Sequence, residues 1–160
     1  MLILGISAFY HDAAACLLED GVIVAAAHEE RFTRIRHDQS FPTNAIRYCL
    51  AEADSFDGRI DAVAFYDKPI LKFHRLMETY FSVAPRGLKP FMQSLPAQLK
   101  SKLWVESQIR ETLASLGVHD IGALYFPEHH ESHAASAFYP SPFNDAPVLT
   151  IDGVGAWACA

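Results

Sequence analysis

Three short apolar runs follow one another at the N-terminus, and they constrain the fold more than any other feature of the chain. They span Leu2 to Phe9, Ala13 to Leu18 and Val22 to Ala27, and Glu19-Asp20-Gly21 supplies a turn between the second and the third. Apolar runs of this length, separated by turn residues, are typical of β-strands joined in hairpins. The sequence therefore predicts a three-stranded antiparallel meander.

A helix and a further strand extend this meander. Pro42-Thr43 begins a segment with apolar residues at helical spacing, and Asp57-Gly58 closes it. Ile60 to Tyr66 follows as the next strand. The apolar stripe of the helix consists of Ala45, Ile46, Cys49, Leu50 and Ala53. The resulting β-β-β-α-β order indicates an α/β fold with a mixed sheet that is covered on at least one face.

The middle of the chain is predicted to be mainly helical. Helices are expected at Pro69 to Val83, at Leu88 to Leu99 and at Leu103 to Leu116, where Gly117 caps the last one, and a short strand at Ala123 to Phe126. The first of these helices carries an apolar stripe that we expect to face the core, formed by Ile70, Phe73, Met77, Tyr80 and Phe81.

Composition narrows the class of protein. The chain has 160 residues, of which 51% are hydrophobic, so a packed core is expected rather than disorder. No apolar run approaches the roughly 20 residues of a membrane span, and no signal peptide is visible, which predicts a cytoplasmic protein with no membrane partner. Three widely spaced cysteines, Cys16, Cys49 and Cys159, are typical of buried free thiols.

The charge distribution is uneven. The formal net charge of −6 disfavours general nucleic-acid binding. Nevertheless, the segment from Lys68 to Lys102 contains seven of the thirteen Lys and Arg residues against one acid, Glu78. We interpret this segment as a solvated or partner-facing surface.

Two polar segments near the N-terminus are candidates for chemistry. His11 and Asp12 lie in the connection between the first two predicted strands, so a histidine and a carboxylate meet at one end of the sheet. The dense charged segment from Glu29 to Asp38 is expected to be a solvated loop held by its own ion pairs. A sharper alternative is that Arg34 or Arg36 binds phosphate, because a guanidinium matches two phosphate oxygens at once.

A histidine pair near the C-terminus could hold a metal ion. His129 and His133 stand at i, i+4 and would share one face of a helix. His130 also faces His133 at i, i+3, so spacing alone does not decide which of the adjacent pair is the ligand. Two surface histidines without a metal would show the same spacing.

A predicted strand follows this helix and ends in an Asp-Gly-x-Gly sequence. Residues Ala146 to Ile151 are apolar and β-branched, as in a buried strand, and Asp152 follows directly. A carboxylate at a strand end, next to Gly153 and Gly155, suits a metal or phosphate site, since glycine lets the backbone approach an anion closely. A plain hairpin turn is the alternative.

The chain contains an internal repeat. Ile3-Leu4-Gly5-Ile6-Ser7 leads to Ala13-Ala14-Ala15-Cys16, and Leu149-Thr150-Ile151-Asp152-Gly153 leads to Ala156-Trp157-Ala158-Cys159-Ala160. Each copy reads as an apolar strand, a polar loop and a small-residue strand. We therefore expect the chain to be the front part of a longer duplicated α/β protein, with residues 1–145 as the first subdomain and residues 146–160 as the truncated start of the second repeat.

Three motifs carry a family resemblance: GISAFYHDAAACLLEDG, then EERFTRIRHDQSFP, then HHESHAASAFYPSPF followed by TIDGVGAW. Together they resemble the N-terminal region of the carbamoyltransferases of the nodulation and antibiotic-tailoring type, nearly from end to end. The resemblance implies an actin-like, ribonuclease-H-like fold, which is shared with the enzymes that transfer a threonylcarbamoyl group to tRNA.

The resemblance also implies site residues. In such relatives an HxxxH pair and a later strand-end aspartate hold a metal, usually iron, which here corresponds to His129, His133 and Asp152; manganese or zinc would fit the same donors. His11 resembles an active-site residue, with Asp12 beside it. Backbone amides at Gly153 and Gly155 and the side chain of Arg36 would contact the phosphate, although a lysine is common in the family where Arg36 stands.

The activity implied by the resemblance is O-carbamoylation. Full-length relatives bind carbamoyl phosphate and ATP in a separate C-terminal domain, form carbamoyl adenylate and pass it on for transfer to a hydroxyl of a small-molecule acceptor. Nothing in this chain resembles that C-terminal adenylate-forming domain. We therefore expect no carbamoylation by the chain alone, and self-association through an uncovered sheet edge.

Two other functions remain open at this point. A threonylcarbamoyl-type transferase that modifies tRNA would be favoured by an exposed basic stripe between Lys68 and Lys102. The negative net charge of the chain disfavours this function. A non-catalytic actin-like nucleotide-binding domain would bind nucleotide without metal, and it leaves the pair of His129 and His133 unexplained.

Overall fold

The computed structural model describes residues 1–97 and 104–152. The chain divides into two compact units, the first formed by Met1–Phe65 and Trp104–Phe126 and the second by Tyr66–Leu103 and Pro127–Ala160. This division follows spatial contacts and differs in kind from the predicted boundary between two repeats after residue 145, which stays a prediction. Within the described ranges, none of the helices has the length and apolar character needed to cross a membrane.

The first unit is built on a five-stranded sheet. Its strands are β1 (Leu2–Ser7), β2 (Ala14–Glu19), β3 (Val22–His28), β4 (Arg59–Phe65) and β5 (Asp120–Tyr125). The spatial order is β3-β2-β1-β4-β5. Strands β1, β2 and β3 pair antiparallel, as the predicted meander requires, whereas β4 runs parallel to both β1 and β5. The predicted α/β fold class, a mixed sheet of the actin-like and ribonuclease-H-like kind with flanking helices, is confirmed.

Six helices accompany the strands in the described part of the chain. They are α1 (Glu30–Thr33), α2 (Thr43–Ala51), α3 (Pro69–Val83), α4 (Leu88–Ala97), α5 (Val105–Ser115) and α6 (His129–Phe138). Helix α3 has the predicted bounds, and α2 begins at the predicted residue. Gly117 follows α5 with a φ of +88°, a left-handed conformation that suits the glycine predicted to cap that helix.

The core of the first unit joins the sheet to α2 and α5. Leu4, Leu17 and Val63 of the strands are fully buried, and so are Ile46 of α2 and Ile109 of α5. Helix α2 packs against β2 and β3. Each buried aliphatic side chain of this size contributes about 1.5–3 kcal/mol relative to exposure. The apolar stripe predicted for α2 is buried along its whole length.

The prediction of buried free thiols is confirmed for Cys49, which lies in this core, but not for Cys16 of β2. Cys49 is buried and Cys16 is half-buried. Burial raises the pKa of the Cys49 thiol to about 11, so this side chain stays protonated and serves as an apolar packing group. Cys159 lies outside the described residues.

The prediction of a solvated loop from Glu29 to Asp38 is wrong at both ends of that segment. Glu29 is only 2% exposed and Asp38 only 6%. The carboxylate of Glu29 accepts hydrogen bonds from the backbone N of Asn44 (3.2 Å), the Nδ2 of Asn44 (2.6 Å) and the backbone N of Ala45 (2.8 Å). The two backbone amides belong to the first turn of α2, where they have no partner within the helix. Glu29 is buried because it caps that helix.

The second unit contains α3, α4 and α6. The rings of Tyr80 in α3 and Phe91 in α4 stack with their centroids 4.2 Å apart. The apolar stripe predicted to face the core from α3 is wrong at Ile70 and Phe81, which are largely exposed. Amphipathic spacing shows which side chains share a face, but burial requires a neighbouring element, and the two exposed residues lie near opposite ends of α3.

The strand predicted at Ala146 to Ile151 is absent from the described structure. Residues 146–152 have no assigned secondary structure, and Leu149 and Ile151 are 77% and 74% exposed. β-branched composition favours an extended chain, but a strand also needs a hydrogen-bonded neighbour, and no ladder among the described residues includes this segment. The second half of the internal repeat, beyond residue 152, lies outside the described residues.

Candidate functional site

The N-terminus of α6 fixes the position of the histidine pair. Glu128 and Glu131 form a capping box, in which the backbone N of Glu128 donates to Oε2 of Glu131 at 2.7 Å and the Glu128 carboxylate accepts from the backbone of residue 131. Ser132 also donates from Oγ to the carbonyl of Tyr66 at 2.7 Å. The helix therefore begins at His129 with its first turn held in place.

His129, His133 and Asp152 come together in the second unit. The Nε2 of His129 lies 2.6 Å from Oδ2 of Asp152 and 3.2 Å from Nε2 of His133, and the Nε2 of His133 lies 3.6 Å from the same Oδ2. The two imidazole rings meet edge to face, with centroids 4.6 Å apart. Two nitrogen donors and one oxygen donor thus converge on a single point.

The chemistry of these donors fits a divalent metal ion. Ligands that each lie about 2 Å from an ion in a tetrahedral site stand about 3.3 Å from one another, close to the spacing between the two Nε2 atoms. Two imidazole nitrogens that face each other need a proton or a cation between them, because otherwise their lone pairs repel. Three protein ligands with an open position are typical of a catalytic rather than a structural ion.

His130 does not join this cluster. Its ring centroid lies 6.2 Å from that of His129 and 6.5 Å from that of His133. Among the described histidines near the start of α6, His129 and His133 lie with Asp152 within ligand distance of one another, and their role as metal ligands stays a prediction. The Nδ1 of His129 and the Nε2 of His130 are both buried without a hydrogen-bond partner among the described residues. Because the Nδ1 of His129 is buried, only its Nε2 could bind a metal ion.

A second polar cluster, built around Asp12, lies in the first unit. The Nδ1 of His11 lies 2.7 Å from Oδ2 of Asp12, and the Nδ1 of His37 lies 2.8 Å from Oδ1 of the same carboxylate. A carboxylate can only accept hydrogen bonds, so both Nδ1 atoms donate to it. The contacts to His37 and then to His11 hold the pKa of the Asp12 carboxyl below its ordinary value. Asp12 is therefore an anion at neutral pH.

The backbone around Asp12 is in an unusual conformation. Phe9, Asp12 and His37 have φ angles of +69°, +52° and +54°, in the left-handed region that residues with a side chain rarely occupy. Each such residue costs about 1–2 kcal/mol. The cost is offset by hydrogen bonds from the backbone N of Phe9 to Gln39 (2.9 Å) and from that of Ala13 to Asp38 (2.8 Å). Strain of this kind is concentrated at functional sites.

Three further site residues were predicted, of which the structure describes only Arg36. Arg36 is exposed in the turn next to His37, so its predicted contact with phosphate stays a prediction. Gly153 and Gly155 lie outside the described residues. The sequence did not lead us to His37, although a signal was present, since the dipeptide His-Asp occurs at His37-Asp38 as well as at His11-Asp12.

Known proteins are similar to this sequence over most of its length. It is 55% identical over 159 residues to the uncharacterized protein sll1178 of Synechocystis, covering 98% of this chain and 26% of that protein. It is 33% identical over 150 residues to the nodulation protein NolNO of Sinorhizobium fredii, covering 94% of this chain and 20% of that protein. The chain thus spans about a quarter or less of the length of these relatives.

A shorter match, 42% identical over 60 residues, joins 38% of this chain to 35% of an uncharacterized 19.2 kDa protein of Rhizobium etli. The sequence profile of the family described as carbamoyltransferase N-terminus matches residues 2–160, which is nearly the whole chain. The match includes the His-Asp pair after β1 and the histidine pair of α6. The chain therefore belongs to the carbamoyltransferase family, whose N-terminal region it represents.

Proposed function

We propose that the protein containing this chain is an O-carbamoyltransferase. It would transfer a carbamoyl group from carbamoyl phosphate, by way of carbamoyl adenylate, to a hydroxyl of a small-molecule acceptor. Family membership over residues 2–160 supports the transferase class. The observation that carries the proposal is the 2.7 Å contact between Nδ1 of His11 and Asp12, because it leaves Nε2 of His11 able to accept a proton.

In the proposed reaction, the acceptor hydroxyl attacks the carbonyl carbon of carbamoyl adenylate, and AMP leaves as the bond between that carbon and the phosphate oxygen breaks. The Nε2 of His11 takes the proton of the hydroxyl as its oxygen forms the new bond. Asp12 keeps the proton of His11 on Nδ1 and stabilises the imidazolium that results. This is a combination of general-base catalysis and electrostatic support.

A metal ion forms a second part of the proposal. His129, His133 and Asp152 would hold it, and iron, manganese and zinc all accept such nitrogen and oxygen donors. A bound divalent ion supplies Lewis acidity toward a phosphoryl or carbonyl oxygen. The roles of these three residues in the proposal are to bind and orient the ion.

Further partners in the proposal come from outside this chain. ATP and carbamoyl phosphate would be handled by a C-terminal adenylate-forming region, and the backbone amides of Gly153 and Gly155 with Arg36 would contact the phosphate of the adenylate. For the alternative of tRNA modification we find no specific support. Lys68, in the basic segment, lies 3.4 Å from Oε1 of Glu128, an ion pair within the second unit.

The proposal can be tested on the full-length protein with two separate readouts, the release of pyrophosphate and the transfer of label to an acceptor. Incubation with ATP and radiolabelled carbamoyl phosphate should release pyrophosphate only when both substrates are present, which reports adenylate formation. Label should then pass to a compound in a panel of hydroxyl acceptors. Absence of pyrophosphate release that depends on carbamoyl phosphate would contradict the proposal. A parallel incubation with labelled threonylcarbamoyl adenylate and tRNA tests the alternative, and label transfer to tRNA there would also contradict the proposal.

A further inference from the structure

The carboxylate of Asp12 is shared by two imidazoles, one on each oxygen. Oδ2 accepts from Nδ1 of His11 at 2.7 Å, and Oδ1 accepts from Nδ1 of His37 at 2.8 Å. Rotation of the carboxylate about its bond to Cβ would break both contacts at once. The orientation of Asp12 is therefore fixed by two hydrogen bonds from opposite sides, although the proposed reaction uses only the one to His11.

We propose that His37 is a positioning residue, which holds the Asp12 carboxylate in the orientation that keeps His11 in the tautomer with the proton on Nδ1. The proposal rests on the proposed function, because this tautomer matters only if Nε2 of His11 must accept a proton. His37 acts through Asp12 and does not itself touch the reacting atoms. This role makes His37 the third member of a His11-Asp12-His37 unit.

The tautomer of His11 needs such support because the cluster is open to solvent. The side chains of His11 and His37 are both exposed by more than half, and that of Asp12 is about one-third exposed. Water competes for a carboxylate that has a single partner, and the side chain can then rotate away from the imidazole. A second donor on the other oxygen reduces this freedom.

The chain holds His37 in place from several directions. Its backbone N donates to Oε2 of Glu30 at 3.0 Å. The next residue, Asp38, accepts at its carbonyl from the backbone N of Ala13 (2.8 Å) and at Oδ2 from Oγ1 of Thr33 (2.6 Å). The imidazole of His37 therefore extends from a segment that is hydrogen-bonded to the loop bearing Asp12.

The lowered pKa of the Asp12 carboxyl agrees with this arrangement. The hydrogen bond from His37 is the largest cause of the lowering, and the one from His11 comes next. Both contacts therefore favour the ionised form of Asp12, which is the form that can accept from two donors.

Two substitutions at position 37 distinguish the loss of the hydrogen-bond donor from a general disruption of the local structure. His37→Asn keeps a donor, because the Nδ2 of asparagine takes nearly the place of the imidazole Nδ1. His37→Gly removes the donor. Both residues adopt a φ near +54° more readily than other residues do, so neither variant strains the backbone at this position.

The first readout is the tautomer of His11 in the full-length protein. Two-bond ¹H–¹⁵N spectra of protein labelled at histidine distinguish Nδ1–H from Nε2–H, and the signals of His11 are identified by their loss in His11→Asn. We expect the Nδ1–H tautomer in the wild type and in His37→Asn, and a substantial share of Nε2–H in His37→Gly. A His11 tautomer that is unchanged in His37→Gly overturns the proposal.

The second readout is the rate of carbamoyl transfer under saturating substrates. His37→Gly should lower kcat about tenfold or more, as removal of an orienting partner often does, and His37→Asn should recover most of that loss. Equal losses in both variants would show that His37 acts through its own Nε2, which overturns the positioning role. If the wild type transfers no carbamoyl group, the proposed function fails, whereas the tautomer spectra still decide whether His37 positions Asp12 and His11.

Discussion

The Nε2 atoms of His129 and His133 lie 3.2 Å apart, on rings that stand nearly perpendicular to each other. The closeness of the two nitrogens is a consequence of the i, i+4 spacing at the start of α6, whose first turn is fixed by its capping box. Asp152, which is far from both along the chain, completes the convergence.

We predict that His129 and His133 are required for binding a divalent metal ion. In the variant with alanine at both positions, the affinity for iron(II), manganese(II) or zinc should fall by about 100-fold or more, because two of the three converging donors are lost. Calorimetric titration of each ion and elemental analysis of the purified full-length protein would measure this. His130→Ala is the matched control, since it lies on the same turn outside the cluster, and wild-type affinity in the double variant would refute the site.

We predict that His11→Asn lowers carbamoyl transfer by about 100-fold or more, the usual contribution of a general base. Asparagine keeps a donor toward Asp12 but has no Nε2 to accept a proton. Pyrophosphate release from ATP and carbamoyl phosphate should persist, which shows that the rest of the enzyme is intact. His74→Asn, at an exposed histidine of α3, serves as the control. Unchanged transfer by His11→Asn would make His11 a structural residue.

We predict that Glu29→Ala destabilises the first unit by about 2–3 kcal/mol. The substitution leaves two backbone amides and one side-chain amide at the start of α2 without their buried acceptor. Urea unfolding followed by circular dichroism would measure the change. The control is Glu52→Ala at the other end of the same helix, where the residue is exposed and its removal should change stability by less than about 0.5 kcal/mol. Equal effects of the two substitutions would disprove the capping role.

We predict that substitution by alanine destabilises the protein at one strand glycine and not at another. A Cβ at Gly122 of β5 would lie 2.2 Å from the carbonyl oxygen of Asp61, so Gly122→Ala must displace backbone and should cost about 2 kcal/mol or more. A Cβ at Gly5 of β1 would meet nothing closer than 3.7 Å, so Gly5→Ala should be neutral or slightly stabilising. Thermal unfolding of the two variants measures the difference, and a tolerated Gly122→Ala would argue against the register of β4 and β5.

We predict that Asp38 contributes stability that depends on pH. Hydrogen bonds from Thr33 and then from Ser40 lower the pKa of its carboxyl. Because the pKa is lower in the folded than in the unfolded state, the contribution is fully present above the unfolded value of about 3.9 and is lost as the pH falls toward the folded value. The difference in unfolding free energy between wild type and Asp38→Asn should therefore shrink from pH 6 to pH 3, and a constant difference would contradict the prediction.

Local patterns in the sequence predicted most of the secondary structure. Turn residues separate the strands of the meander, and the stripe of α2 is buried because a packed sheet lies beneath it. The same reasoning failed at Ala146 to Ile151, where β-branched residues occur without a strand among the described residues to pair with. It also failed at Ile70, whose exposure depends on which element covers α3 and not on the spacing within α3.

The candidate sites were predictable to different degrees. The pair of His129 and His133 follows from helical spacing, and the family resemblance pointed to Asp152. The contact between His37 and Asp12 could not be predicted, because it joins residues 25 positions apart through a backbone with positive φ at both residues. The burial of Glu29 was missed for a related reason, since a charged residue next to other charges resembles a solvated loop until its amide partners in α2 are known.

Glu29 also has a consequence for how the site around Asp12 is maintained. It stands between the end of β3 and the segment that bears His37, its backbone N bonds to the carbonyl of Ala13, and its carboxylate caps α2. The loop with His37 is thus anchored to the hydrophobic core at its start and to the loop of Asp12 at its end. Amide hydrogens at Phe9 and Ala13 should therefore exchange with solvent slowly, at rates set by opening of the sheet and helix together. In the proposed reaction, an acceptor that reaches His11 would meet a surface that is already ordered, so its binding would require no folding of the loop.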